Sequence, residues 1–121
     1  MHERLIQLGS RMRSAGITED SLLRGGFAAL RLGREASRLR GLLSDHAARE
    51  VAAPALRALR RLSEEPRQVV RASRVAAQAL LDLAGERPEA AAPLSRAAAV
   101  LTEIAMLAGR HRRFFTSAAR F

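Results

Sequence analysis

The stretch LLRGGFAALRLGREASRLRGLL, Leu22 to Leu43, decides the fold. Within it Gly25, Ala29, Gly33, Ser37 and Gly41 follow one another at intervals of four residues. On an α-helix that spacing makes one ridge slanting slowly around the surface, and residues without bulk let a second helix approach closely. Each glycine in an exposed helix costs about 1 kcal/mol relative to alanine, so Gly25, Gly26, Gly33 and Gly41 imply a compensating close contact. The ridge is therefore expected to pack, within a bundle or against another subunit. Arg24, Arg31 and Arg38 recur every seven residues on one side of the same helix, with Leu22, Gly26, Ala29, Gly33 and Ala36 on the other. One face should be wet and the other packed.

Working outward, Thr18 followed by Glu19 and Asp20 makes a start for this helix, with an oxygen cap and acid in the first turn. Before it, a short helix over residues 2 to 14 places Leu5, Leu8 and Met12 on one face, with Gly16 as its stop. After it, Val51, Ala55, Leu59 and Leu62 keep helical spacing from Asp45 to Ser63, but Pro54 interrupts them and a restart there is expected. Pro66 opens the next helix, with Val69 or Val70, Ser73, Ala76, Leu80 and Leu83 facing inward and Gly85 at its end. The tract GERPEAAAP from Gly85 reads as the connector. Pro93 then opens the last helix, whose stripe of Leu94, Ala97, Leu101, Ile104 and Ala108 could continue to Phe115.

Strand signals are absent. The expected fold is all-α, an antiparallel bundle of four to five helices with a Leu/Ala-rich core. The whole chain, 1–121, should be a single helical domain, with a short N-terminal helix at 2–14, the main bundle at 18–115 and a C-terminal tail at 116–121. An apolar content of 48% suffices for one core. The least polar run, Ala97 to Ala108, contains Thr102 and Glu103 and falls short of the roughly 20 apolar residues that span a bilayer. The N-terminal MHERLIQLGSRMR lacks the long apolar stretch of a signal peptide. A chain that does not itself cross a membrane is expected.

Catalytic constellations are not apparent. His2, His46 and His111 stand far apart, without a second histidine or carboxylate at metal-ligand spacing, and there is no cysteine, so no metal or cofactor site is expected. Ser44, Asp45 and His46 contain the residue types of a hydrolase triad, but three consecutive side chains cannot form that relay, and Ser44 or Asp45 reads as a helix cap. Glu64 and Glu65 just ahead of Pro66 suit a helix N-terminus better than paired acid and base work. Gly25 and Gly26 have neither a preceding strand nor a lysine, so they do not form a phosphate loop. An enzyme is not expected.

Charge is the second lead. All 21 basic residues are arginine, against 12 acids, for a formal charge of +9. Absence of Lys, Asn, Tyr, Trp and Cys together with abundant alanine looks like the codon bias of a GC-rich genome, so part of this basicity can be mutational. Residues 1 to 40 and 93 to 121 hold nearly all of the excess, while the middle of the chain is almost neutral. If those two stretches are neighbours, Arg31, Arg34, Arg38, Arg110, Arg112 and Arg113 make one basic surface able to meet phosphates or an anionic membrane face. The other reading has them solvate outer faces and complement helix C-termini. Phe27 is expected in the core. The string RHRRFF, Arg110 to Phe115, reads either as a basic and aromatic anchor at a membrane interface or as a phenyl cap beneath the bundle with its arginines in water.

The segments Leu22 to Leu43, PALRALRRL (Pro54 to Leu62) and LSRAAAVLTEIAMLAGRHRRFF (Leu94 to Phe115) together resemble the C-terminal soluble helical region of fusaric-acid-resistance (FUSC) type transporters, which are similar to aromatic-acid exporters of bacterial inner membranes. GGFAALR and HRRFF are the strings most particular to that likeness. The chain departs from the family pattern in having no pore-forming transmembrane helices, and no catalytic or substrate-binding residue carries over. What the resemblance implies is a non-catalytic cytoplasmic helical domain of an efflux system, acting in assembly at the inner face of the membrane. Its partners would be a second copy of itself, a transmembrane partner or an anionic membrane surface. The alternative is a small arginine-rich nucleic-acid-binding or regulatory protein.

Overall fold

The computed structural model describes residues 19–118, with side chains from 23 to 116. The helix expected at 2–14, its Gly16 stop, the Thr18 cap and the end of the C-terminal tail lie outside the described residues. Among the described residues five α-helices follow one another: α1 (Glu19–Leu42), α2 (His46–Arg60), α3 (Pro66–Glu86), α4 (Ala91–Arg110) and α5 (Arg112–Ala118), with one 3-10 turn, Pro88–Ala90, between α3 and α4. The bundle is all-α, and no strand occurs among the described residues.

Helix α4 is the central element, packed most heavily on α3 and also on α1, while α2 lies against α3 and α5 crosses the end where α1, α3 and α4 meet. The stripe expected on α4 is the core: Leu94, Ala97, Leu101, Ile104 and Ala108 are all buried. Leu39, Val69, Leu80, Leu101 and Ile104 are the large side chains most completely withdrawn from water, each contributing about 1.5–3 kcal/mol by that transfer. Between them the core is filled by alanines such as Ala52, Ala76, Ala97 and Ala108, whose small size brings helix axes close. The segment Pro88–Arg110 has the length and mean hydropathy, 1.3, of a membrane-crossing helix by length and composition alone. A central bundle helix requires the same composition.

Local chemistry explains most boundaries. After Leu42 the chain leaves the helix and Asp45 caps α2, its carboxylate accepting the Ala47 N–H at 3.1 Å. The other Asp45 oxygen pairs with Arg87 at the far end of α3, so one side chain fastens the start of α2 to the end of α3. The Ala47 hydrogen bond, and then Arg87, hold the Asp45 carboxyl below its ordinary pKa. Pro66 takes the first-turn position of α3, as its missing N–H allows. Val69, rather than Val70, is the buried member of that pair, and Ser73 is fully buried with no partner for its hydroxyl among the described residues.

Three expectations are corrected. Pro54 does not restart a helix, because α2 runs unbroken from His46 to Arg60 with Pro54 inside it. The ring points to solvent while Ala52 and Ala55 on either side are buried, so packing offsets the hydrogen bond that Pro54 cannot make. The connector does fall within GERPEAAAP but is shorter than that tract: α3 continues through Gly85 to Glu86, and α4 starts at Ala91 rather than Pro93. Ala91 and Ala92 are strong helix formers, and Pro93 falls in the first turn, where its absent N–H costs nothing. The last helix does not run on to Phe115 but ends at Arg110, with the His111 N–H bonded to the Leu107 carbonyl at 3.1 Å. The new helix α5 then carries Phe115 into the core at 3% exposure.

Candidate functional site

The inward face of α1 is Gly25, Ala28, Leu32, Ala36, Leu39 and Leu43. It is turned by about a quarter of a helical turn from the expected face of Leu22, Gly26, Ala29, Gly33 and Ala36. Burying three leucines outweighs burying small residues, which decides the rotation. Of the small-residue ridge only Gly25 therefore packs within the bundle. A Cβ there would overlap the ring of Phe114 from α5, so glycine is what admits that ring. Ala29, Gly33, Ser37 and Gly41 face outward, and a Cβ on Gly33 or Gly41 would meet nothing.

The same rotation brings Phe27 out of the core where it was expected. It is 68% exposed, and with Leu23 (57%) and Leu30 (67%) it forms an outward apolar ridge one helical row from Arg24 and Arg31. Phe114, half-buried, meets Phe115 edge to face with ring centroids 5.4 Å apart. Phe115 thus caps the core, as one reading of RHRRFF had it, while Arg112 and Arg113 stay exposed.

Two arginine-lined clefts open at this end of the molecule. The larger, about 590 Å³, lies between α1, the end of α4 and α5, with Arg24, Arg31, Arg110 and Arg113 around Phe27 and Phe114. The two basic stretches of the sequence do meet here, but only Arg31, Arg110 and Arg113 of the six expected arginines line this cleft. Arg31 is held by Glu103 of α4. Arg38 approaches Glu35 at 3.9 Å farther along α1, Arg34 is exposed and lines neither cleft, and Arg112 turns to the other side. His111 in the larger cleft is held below its ordinary pKa, first by burial and then by the charges of Arg110 and Arg24.

The second cleft, about 370 Å³, is formed by Arg67, Arg71 and Arg74 of α3 with Arg112 of α5, over Val70, Val75 and Gly109. Neither cleft has a carboxylate among its described lining residues. Arg67, Arg71 and Arg74 are hidden in the sequence by the acids of the same stretch. The middle of the chain is nearly neutral in sum, yet the spacing i, i+4, i+7 puts these three on one helix face. That spacing was the available signal.

Elsewhere the chemistry-bearing residues have structural work. Asp45 is occupied by its cap and by Arg87, and His46 sits 3.3 Å from Glu50 on an exposed helix face. Glu64 pairs with Arg61 at 3.3 Å, and Glu65 precedes α3 without a side-chain cap bond. Among the described residues no three of His, Cys, Asp or Glu are grouped to hold a metal ion.

Comparison of the chain with protein-family models, with curated proteins and with solved structures found no match.

Proposed function

We propose that this chain is a non-catalytic helical interaction domain that docks by its basic end on the anionic cytoplasmic face of a membrane, as the soluble part of a transport assembly of the fusaric-acid-resistance type. The resemblance of Leu22 to Leu43 and of Leu94 to Phe115 to that family supplies the transport setting. The observation that carries the docking is the adjacency of the outward ridge Leu23, Phe27 and Leu30 to the arginine-lined cleft that Phe27 shares. An apolar ridge beside cations suits the boundary between acyl chains and acidic headgroups, where each arginine near the surface contributes about 1 kcal/mol. The exposed row of Ala29, Gly33, Ser37 and Gly41 on the flank of that ridge leaves room for a partner helix, from a membrane protein or a second copy.

Binding to nucleic acid through the same arginines is the competing reading, and phosphate contacts alone would carry it. Sedimentation of the chain with vesicles of neutral lipid, with vesicles containing anionic lipid, and a parallel titration with a random DNA duplex separate the two. Membrane docking requires binding to the anionic vesicles, weakened about tenfold or more by the double substitution Phe27→Ser and Leu30→Ser, since buried apolar area is lost. Tight duplex binding that falls steeply with salt and ignores that double substitution would overturn the reading.

A further inference from the structure

We propose that the cleft between the first half of α3 and the α4–α5 turn binds a compact polyanion of the oligophosphate class, through Arg67, Arg71, Arg74 and Arg112. This goes beyond membrane docking, because the cleft shares no lining residue with the larger one that holds Phe27. Four arginines line one cleft of about 370 Å³ without a described carboxylate among its lining residues. Like charges on one cleft repel one another, and a bound anion relieves that repulsion more than solvent screening does.

Some arginines have acceptors within the chain: Arg31 at Glu103, Arg61 at Glu64, Arg87 at Asp45 and Arg49 at the Ser44 carbonyl at 2.9 Å. Others, such as Arg34, Arg57 and Arg60, are exposed singly, and what sets this group apart is that four line one cleft. Arg67, Arg71, Arg74 and Arg112 have no ion pair among the described residues. Arg67 also stands in the first turn of α3, where the helix dipole disfavours a cation, and that turn holds no acid. Glu65 at the cap makes no side-chain bond to the helix and does not line the cleft.

The convergence is not a local accident of one helix. Three arginines follow from the spacing on α3, but the fourth arrives from α5, and only because the chain breaks at His111. Gly109 at the end of α4 lies beside Val70 of α3 on the floor of the cleft. Val70 and Val75 supply apolar surface beside the four arginines. Guanidinium forks match phosphate oxygens in pairs, and a chain of two or three phosphates carries a charge comparable to that of the four arginines.

The test is calorimetric titration of the full chain with inorganic tripolyphosphate. A single site per chain is expected, with Arg71→Ala and Arg112→Ala each weakening it about tenfold. Arg57→Ala removes the same charge from the exposed face of α2 and should leave affinity within about twofold. Circular dichroism confirms that each variant keeps its helices, and the two cleft variants sit on different elements, so one misfolding does not void the other. Absence of tripolyphosphate binding overturns the proposal, as does equal weakening by Arg57→Ala, which would mean diffuse attraction. Binding of a DNA duplex at this cleft without binding of tripolyphosphate overturns it as well.

Discussion

Gly25 and Gly33 differ by eight positions on one helix and play opposite parts. At Gly25 a methyl group would drive into the base of the Phe114 ring, whereas at Gly33 it would enter open space. Gly25→Ala is expected to destabilise the fold by about 1–3 kcal/mol, because a half-buried ring must move. Gly33→Ala should stabilise it by about 0.5–1 kcal/mol through helix propensity and a less flexible unfolded chain. Urea denaturation of the two variants side by side measures both, and equal midpoints would contradict the assignment of Gly25 as the seat of Phe114. The spacing of the small residues was legible in the sequence, but which of them pack was not. That choice depends on the rotation of α1, which Leu32, Leu39 and Leu43 determine from the other side of the helix. Phe27 was misplaced for the same reason, its hydrophobicity outweighing its position one residue before the buried Ala28.

At the scale of elements, four of the five described helices were readable because their apolar residues keep a helical period and two of them begin at clear cap or proline signals, Asp45 and Pro66. The misread boundaries all involve proline or a turn whose outcome is settled by packing. Pro54 is tolerated because its ring faces water while Ala52 and Ala55 pack, so the penalty of the missing N–H is stored in α2 rather than spent on a break. Pro54→Ala should therefore raise stability by about 1–3 kcal/mol, read as a higher urea midpoint with unchanged slope. A lowered midpoint would show that the proline ring, or its restraint on the unfolded chain, contributes more than the lost hydrogen bond. The break at His111 left little local trace, since RHRRFF continues the apolar pattern of α4. It is the placement of Phe115 in the core and of Phe114 over Gly25 that turns the chain.

Over the whole molecule, charge and shape combine at one end. Antiparallel packing brings the start of α1 and the start of α3 to the end of α4, and α5 closes over that junction. Eight arginines thereby border two clefts that differ in chemistry: one flanked by exposed Phe27 and containing His111, the other walled by valines. Meeting of the N-terminal and C-terminal basic stretches could be anticipated from segment charges, but the contribution of α3 could not, since its neighbouring acids cancelled it in the sum. The membrane-docking account locates the contact on the first half of α1 and the α4–α5 turn, and it leaves α2 on the far side of α3 untouched. Amide hydrogen exchange of the full chain, with and without vesicles containing anionic lipid, tests that location most directly. Slower exchange across residues 23–31 and 107–115, with 46–60 unchanged, is the expected result; slowing confined to 46–60, or spread evenly along the chain, would contradict it.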